Sequence, residues 1–438
     1  MKKTNKTFVF GIVNKISSAY KKNKVIFLIF ICIFVLHIFL RFWDIEGRNI
    51  VANDQLDNAW TVKSILIDHK YPLVGMQAKG SSGFFIGPYY YYLITPIYFL
   101  TNLDPIASGI IAGLTSIFTF FVVFLVIKEI FSSRAALFGV FIYVTSYHLL
   151  AADRVQWPVN FILPLSFLIL LSYYKIITNK PKYFLLASLA LGFSLHIHFT
   201  SIFYFALFVL ALPFIPRTKE TLRYILYSVP IILFFIAPIL ISTFTNNANT
   251  GKHLTNYLGE NYHGLHFRRV MQLFSDAFIQ FESIAHFKYL KYLSWLVLPA
   301  FGIILFLDKK RKSRFALIYL SVIWIIVPWI AFSTYKGEIS NYYFNMTVPI
   351  VLLCASYLLD RLFGIGNRLT QLSICCVLIV FSVLNIIPYF GAERVGLNIQ
   401  RERVRQAVAK GERIPFSQWG ADSYLYYVHV ERYFPKKH

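Results

Sequence analysis

The chain has 438 residues, of which 57% are hydrophobic and only 14% charged. An ordinary soluble domain is roughly 45–50% apolar, and here the apolar residues come in long blocks, so a water-soluble globular protein is excluded and the chain reads as a polytopic membrane protein. The formal charge of +23 would suit nucleic acid, but Lys and Arg fall in short clusters between apolar blocks, as in loops that fix topology by the positive-inside rule, which argues against a nucleic-acid partner.

At the N-terminus, Lys2, Lys3, Lys6, Lys15, Lys21, Lys22 and Lys24 precede an apolar run over 25–42 that ends without a small-residue cleavage site. This predicts an uncleaved anchor with residues 1–24 in the cytoplasm. Within that leader Phe8, Val9, Ile12, Val13 and Ile16 recur at helical spacing, which predicts an amphipathic helix on the inner membrane surface.

A first outer loop is expected over 43–105. It opens with residues 48–60, a stretch holding Asp54 and Asp57 where the chain leaves the lipid. Among long hydrocarbon runs, a carboxylate at that depth is one of few groups able to do chemistry. The competing explanation is that Asn53 or Asp54 caps a helix beginning near Asp57, and from this segment alone the cap is the better one. Ala59, Val62, Ile65 and Leu66 then line one face of a short interfacial helix. The run over 89–100 is shorter than the roughly 20 residues needed to span, and if it did span, Lys128 and Arg134 would lie outside. It is expected to be interfacial or re-entrant, with Tyr89 to Tyr92 among the rings of an aromatic belt.

The second span is expected at 107–127 and the third at 135–150, followed by a second outer loop at 151–160 containing Asp153, Arg154, Trp157 and Pro158. A fourth span covers 161–177 and a fifth 183–197, ending in His196-Ile197-His198; the sixth reaches a basic turn at 217–223. The seventh, 224–242, opens into a polar outer loop over 243–291 with His253, Glu260, His263, His266, Arg268 and Arg269. The eighth leads to the basic cluster 309–314, the ninth goes out to 335–344, the tenth returns to Arg361 and the eleventh covers 374–387. The membrane domain is thus 25–390. An odd count leaves residues 391–438 outside as a small soluble cap, with a helix near 400–410 and a strand at 424–429.

Cys32, Cys354, Cys375 and Cys376 all lie in apolar runs, without disulfide-framework or metal-ligand spacing. Gly364-Ile365-Gly366 has no preceding strand and does not make a nucleotide cradle. What the topology brings to one face is Asp54, Asp57 and Asp153, together with Lys79, Arg154, Arg268 and Arg269. Carboxylates beside cations at an interface suit general-base catalysis next to an anionic leaving group. For Asp153 and Arg154 the bland alternative is a solvated loop pair. His196 and His198 with Asp153 or His148 would make a metal site, but alternate residues at a helix end point to different faces, which counts against it.

The order of these motifs resembles that of the polyprenyl-phosphate-dependent membrane glycosyltransferases of GT-C fold, the group that holds the protein O-mannosyltransferases and aminoarabinose transferases of the glycosyltransferase family 39 type. The residues that carry the resemblance are Asn53-Asp54-Gln55 with Asp57 and Ala59, Gly83 through Gly87 to Leu93, Asp153-Arg154 with Trp157-Pro158 and Asn160, Gly192 through His198, and Asn341 to Phe344 with Pro349. The resemblance implies an all-α bundle of about eleven transmembrane helices with an interfacial first outer loop. It implies Asp54 as the principal catalytic carboxylate and Asp153 as its assistant. Gln55 stands where many relatives carry a second acid, so a paired-carboxylate or metal role is not implied at that point.

The expected activity is transfer of a sugar from a polyprenyl-phosphate donor to a glycan, lipid or protein acceptor on the outer face of the cytoplasmic membrane, with inversion. Asp57, Lys79, Tyr89, Arg154, His196 and His198 are the candidate substrate-binding residues. No cofactor is implied, and a divalent cation is left open. Two rivals stand beside this expectation. A transporter or flippase would show internal repeats and midplane ionisable residues, neither of which is clear; a glycan polymerase or ligase would arrange its outer loops differently.

Overall fold

A computed structural model describes residues 23–77, 82–245, 250–262, 264–277, 290–307, 311–337, 339–392 and 395–432. The amphipathic helix expected in the leader, Lys79 and His263 lie outside these residues. In chain order the α-helices are α1 (Lys24–Phe42), α2 (Ile45–Arg48), α3 (Asn53–Leu66), α4 (Tyr89–Leu100), α5 (Ile106–Ile130), α6 (Ser133–Thr145), α7 (Tyr147–Ala152), α8 (Ile162–Ile177), α9 (Tyr183–Ser194) and α10 (Ile202–Ala211). There follow α11 (Lys219–Thr245), α12 (Thr250–Asn261), α13 (Phe267–Ala277), α14 (Leu290–Leu307), α15 (Arg311–Ser333), α16 (Val348–Ile365), α17 (Arg368–Gly391), α18 (Leu397–Ala409) and α19 (Ala421–His429). The described residues form no strand beyond two isolated bridges.

Seven helical segments among the described residues are long and apolar enough to cross a membrane. These match seven of the expected spans. Of the other four, three fall on the shorter helices α6, α9 and α10 and one on α14, an apolar helix of 18 residues. The chain is a multi-pass membrane protein. As expected, α4 is too short to span: its twelve residues extend about 18 Å against a hydrocarbon core of about 30 Å. It packs on α3 instead, with Tyr90, Tyr91, Ile94 and Tyr98 buried.

The bundle is centred on α5, α6, α8 and α16, whose buried residues form one continuous apolar core. Within it Trp324 of α15 is fully buried, and its indole N–H reaches Ser166 Oγ at 2.9 Å and Met346 O at 2.8 Å. The two ends of the bundle differ in chemistry. One end holds the basic turns and is tied by ion pairs of Arg134 with Asp360 and Lys175 with Glu129. The other end gathers α2, α3, α4, α7, the loop after α9, α12 and the tail.

The tail packs against the segment that follows α1. Leu397 N donates to Asn49 O at 3.1 Å, Gln400 Nε2 to Val51 O at 3.2 Å and Tyr424 Oη to Leu103 O at 2.9 Å. Asp104 receives Arg401 at 2.6 Å and His429 at 3.3 Å, and these partners outweigh its burial and hold its carboxyl below the usual range. The tail therefore lies at the same end as Asp54, clamped onto the 43–105 segment. The helix expected near 400–410 is α18, but the strand expected at 424–429 is the helix α19. Its Tyr-rich sequence favours a strand by propensity, but helical packing buries Tyr424, Leu425, Tyr427 and Val428 against the loop, and packing overrides propensity.

Candidate active site

The site begins with the start of α3. Leu56, Ala59 and Val62 are fully buried and fix the face that α3 turns inward. Asn53 adopts φ +37°, a left-handed conformation that Asn tolerates better than most residues, and the chain turns there into the helix. The helix thus starts earlier than expected, and the capping contact comes from Gln55, whose Oε1 accepts from Ala52 N at 3.3 Å. The expectation that Asn53 or Asp54 caps a helix near Asp57 is corrected on this point. Asp54 lies within the first turn, where a negative charge is favoured by the helix dipole.

Gln55 also donates through Nε2 to Gln156 O at 2.6 Å. The side chain of Gln156, wholly buried, receives Tyr98 Oη at 3.1 Å and donates to Tyr90 Oη at 3.2 Å. This network fixes α3, α4 and the 151–160 loop in one register, and it sets the next residue, Trp157, beside Asp54. Gln55 and Gln156 were missed as determinants because an amide in a loop carries no local signal of burial.

Asp54 lines a cavity of about 330 Å³ whose wall includes Gln77, Trp157, His198, Ser340 and Tyr342. The Trp157 ring meets Tyr342 edge-on at 4.5 Å, and His198 meets the same tyrosine at 5.5 Å. His198 Nδ1 accepts from Thr200 N at 3.2 Å, which sets the ring's orientation at the cavity wall. Burial pushes the Asp54 carboxyl above the usual carboxylate range; the Trp157 indole N–H, donating to it, partly opposes this, and the nearby charge of Asp57 adds to it. Asp57 is also raised by burial, against a 2.9 Å hydrogen bond from Tyr91 Oη. It lines a second hollow on the tail side, not the Asp54 cavity.

Asp153 and Arg154 are neither a solvated pair nor part of the cavity wall, being 7% and 4% exposed. Asp153 accepts from Arg41 Nη2 at 2.7 Å and Nε at 3.1 Å. Arg41, in the last turn of α1, also donates to Val144 O at 2.5 Å. Burial raises the Asp153 carboxyl, and Arg41 opposes that rise. Arg154 donates to Leu40 O and Trp43 O, each at 2.7 Å, and so satisfies carbonyls at the C-terminus of α1. The structure does not bring Asp153, expected to assist Asp54, or Arg154, expected to bind substrate, to the cavity; their contacts tie α1 to the 151–160 loop. Arg41 was missed, though a lone Arg inside an apolar run is a signal that a buried partner exists.

Tyr89 and His196 also lie off the cavity. Their rings stack at 4.4 Å, His196 Nδ1 accepts from Tyr89 N at 3.2 Å, and Nε2 is 3.0 Å from Phe235 O. Gly87 passes so close that a Cβ there would collide with the His196 ring. His196 therefore joins α4, α9 and α11. The metal alternative is not assembled: both nitrogens of His196 have partners, Asp153 belongs to Arg41, and among the described residues no three His, Cys, Asp or Glu converge as ligands. Of the other expected cations, Arg268 is exposed and Arg269 donates to Gly337 O at 2.7 Å.

Residues 75–242 match the dolichyl-phosphate-mannose-protein mannosyltransferase family. The matched stretch contains the motifs at 83–93, 153–160 and 192–198, while Asp54 lies before it. No curated protein matches the chain in sequence. Among solved structures, ArnT from Cupriavidus metallidurans bound to undecaprenyl phosphate is similar with a TM-score of 0.63 and 13% identity, over 90% of this chain and 84% of that one. The Archaeoglobus fulgidus oligosaccharyltransferase in the apo form gives a TM-score of 0.55 at 10% identity, over 92% of this chain and 61% of that one. The same organism's AglB, in complex with an inhibitory peptide and a dolichol-phosphate, gives 0.53 at 12% identity. The resemblance read from the order of motifs holds, and the chain has the GT-C fold of these proteins.

Proposed function

We propose that the chain transfers a sugar from a polyprenyl-phosphate donor to an acceptor hydroxyl, with its active site on the outer face of the cytoplasmic membrane and Asp54 as the catalytic carboxylate. The observation that carries this is the half-enclosed cavity at the loop-bearing end of the bundle, with a desolvated Asp54 in its wall. The mannosyltransferase match over 75–242 and the shared fold support this choice of donor class.

Asp54 accepts the proton of the acceptor hydroxyl as the oxygen attacks the anomeric carbon. The bond from that carbon to the phosphate oxygen breaks, its electron pair leaves with the polyprenyl phosphate, and one displacement inverts the centre. A raised carboxyl is the better base, since proton acceptance is most effective when the pKa approaches the working pH. A phosphate leaves without a general acid, but its charge needs a partner at the membrane surface. Lys79, two residues from Gln77 in the cavity wall, is the proposed partner, with His198 beside the sugar. Tyr89, His196, Asp153 and Arg154 position the loops.

The test is purified protein in lipid nanodiscs with radiolabelled polyprenyl-phosphate sugars. Release of polyprenyl phosphate with label in a new covalent product supports the proposal; label that crosses the membrane of vesicles reconstituted with the same protein, with no covalent product, would establish a flippase instead.

A further inference from the structure

One turn beyond Asp54 on α3, Asp57 opens into the second hollow, of about 360 Å³. Its other hydrogen-bonding groups are Thr61 and Ser64 of α3, Lys70 in the turn that follows, and Gln418 of the tail. Aromatic rings open to solvent accompany it: Tyr71 in the wall is 64% exposed, and Trp419, next to Gln418, is 55% exposed. The tail segment is held there from below, since Trp60 Nε1 donates to Gln418 O at 3.2 Å and the Trp60 ring packs on Phe416 at 5.4 Å.

We propose that this hollow is the acceptor subsite and that its ligand is a glycan, so that the reacting group is a carbohydrate hydroxyl. The inference rests on the transferase activity proposed above. A sugar ring offers one or two faces of C–H groups and a rim of hydroxyls, and it is bound by an aromatic plate beside carboxylate, amide and hydroxyl groups. Tyr71 and Trp419 are such plates; Asp57, Ser64 and Gln418 take the rim. The Tyr91 hydroxyl uses one acceptor position of the Asp57 carboxylate, which has about four. Exposed aromatic rings alone would equally suit a membrane belt, but a belt does not gather Asp57, Thr61, Ser64, Lys70 and Gln418 with Tyr71 around one hollow. Asp54 and Asp57 are three residues apart on one helix, so their Cβ atoms are about 5–6 Å apart, the reach of one sugar ring from bound rim to reacting hydroxyl. The clamp of the tail onto the first loop then has a role: it brings Gln418 and Trp419 to the acceptor.

The test uses the full chain in nanodiscs, titrated with mannohexaose, maltohexaose and chitohexaose and followed by saturation-transfer NMR. At least one of these should bind the wild type. Tyr71→Ala with Trp419→Ala should weaken that binding at least about tenfold and raise the KM for the same glycan as acceptor by a similar factor, while Tyr71→Phe with Trp419→Phe retains both. Both residues are exposed, so the alanine pair should fold. Equal binding by the alanine pair and the wild type, or no binding of any hexaose up to millimolar concentration, would overturn the proposal. So would quenching of Trp419 fluorescence by brominated phospholipid, which would place the rim in the bilayer. A wild type that binds a hexaose but releases no polyprenyl phosphate would refute the transferase activity and leave a glycan site. Donor turnover without glycan binding would do the reverse.

Discussion

Asp54 and Asp153 stand at the same end of the bundle, each in a short motif between apolar runs, and from sequence each is a candidate for the chemistry. Asp153 is sealed in an ion pair with Arg41, which itself also donates to the carbonyl of Val144, so its charge is matched and inaccessible. Asp54 lies at the wall of a cavity among Trp157, His198 and Tyr342, with an indole N–H as its named donor and a second carboxylate nearby. A matched buried charge holds helices in place. A desolvated carboxylate open to a cavity is destabilising for the fold and is worth keeping only if it reacts.

The largest effect should follow from breaking the matched pair. Asp153→Ala leaves Arg41 buried and uncompensated and is expected to destabilise by about 3–5 kcal/mol, read from denaturation in detergent, whereas Arg41→Met combined with Asp153→Leu recovers most of that loss. If Asp153→Ala kept its stability but lost turnover, Asp153 would belong with Asp54 in the reaction. Next in size is Gly87→Ala, whose Cβ would displace the His196 ring and strain the junction of α4, α9 and α11, at a cost of about 1–3 kcal/mol. A neutral result there would mean that His196 is free to turn and is not a structural post.

The smallest effects are shifts in pH dependence around Asp54, and they run in opposite directions. A base must be deprotonated, so turnover falls as the pH drops through the Asp54 pKa, which lies above the usual carboxylate range. Trp157→Phe removes the hydrogen bond that favours the charged form and should move the acid limb to higher pH. Asp57→Asn removes the neighbouring charge that disfavours it and should move the limb to lower pH. The same sign or no movement in both variants would assign the limb to another group.

The difference between the two carboxylates was only half legible in the sequence. Spans follow from long apolar runs, and Asp54 stands out because it sits where such a run ends. Its environment depends on Gln55 reaching back to Ala52 and across to Gln156, contacts that no local pattern announces, and the helix start was misplaced for that reason. The Asp153 pair joins residues 112 apart in sequence; the solitary Arg41 in an apolar run was a usable sign, but it does not name its partner. In the tail, Tyr424 to His429 favours a strand by composition, while burial against Leu103 and Trp60 makes it helical. Local rules fail where long-range contacts decide.

The most direct test of the account is Asp54→Asn, measured for turnover of a polyprenyl-phosphate sugar and for thermal stability in the same preparation. Because burial raises the Asp54 pKa, the charged form is disfavoured in the folded state; that side chain favours folding when protonated and loses this as the pH rises through its folded pKa, so at neutral pH the amide should unfold at the same temperature as the wild type or higher. The account predicts that turnover falls by at least about 100-fold, the usual contribution of a general base. Turnover near the wild-type rate in a folded Asp54→Asn protein would contradict it.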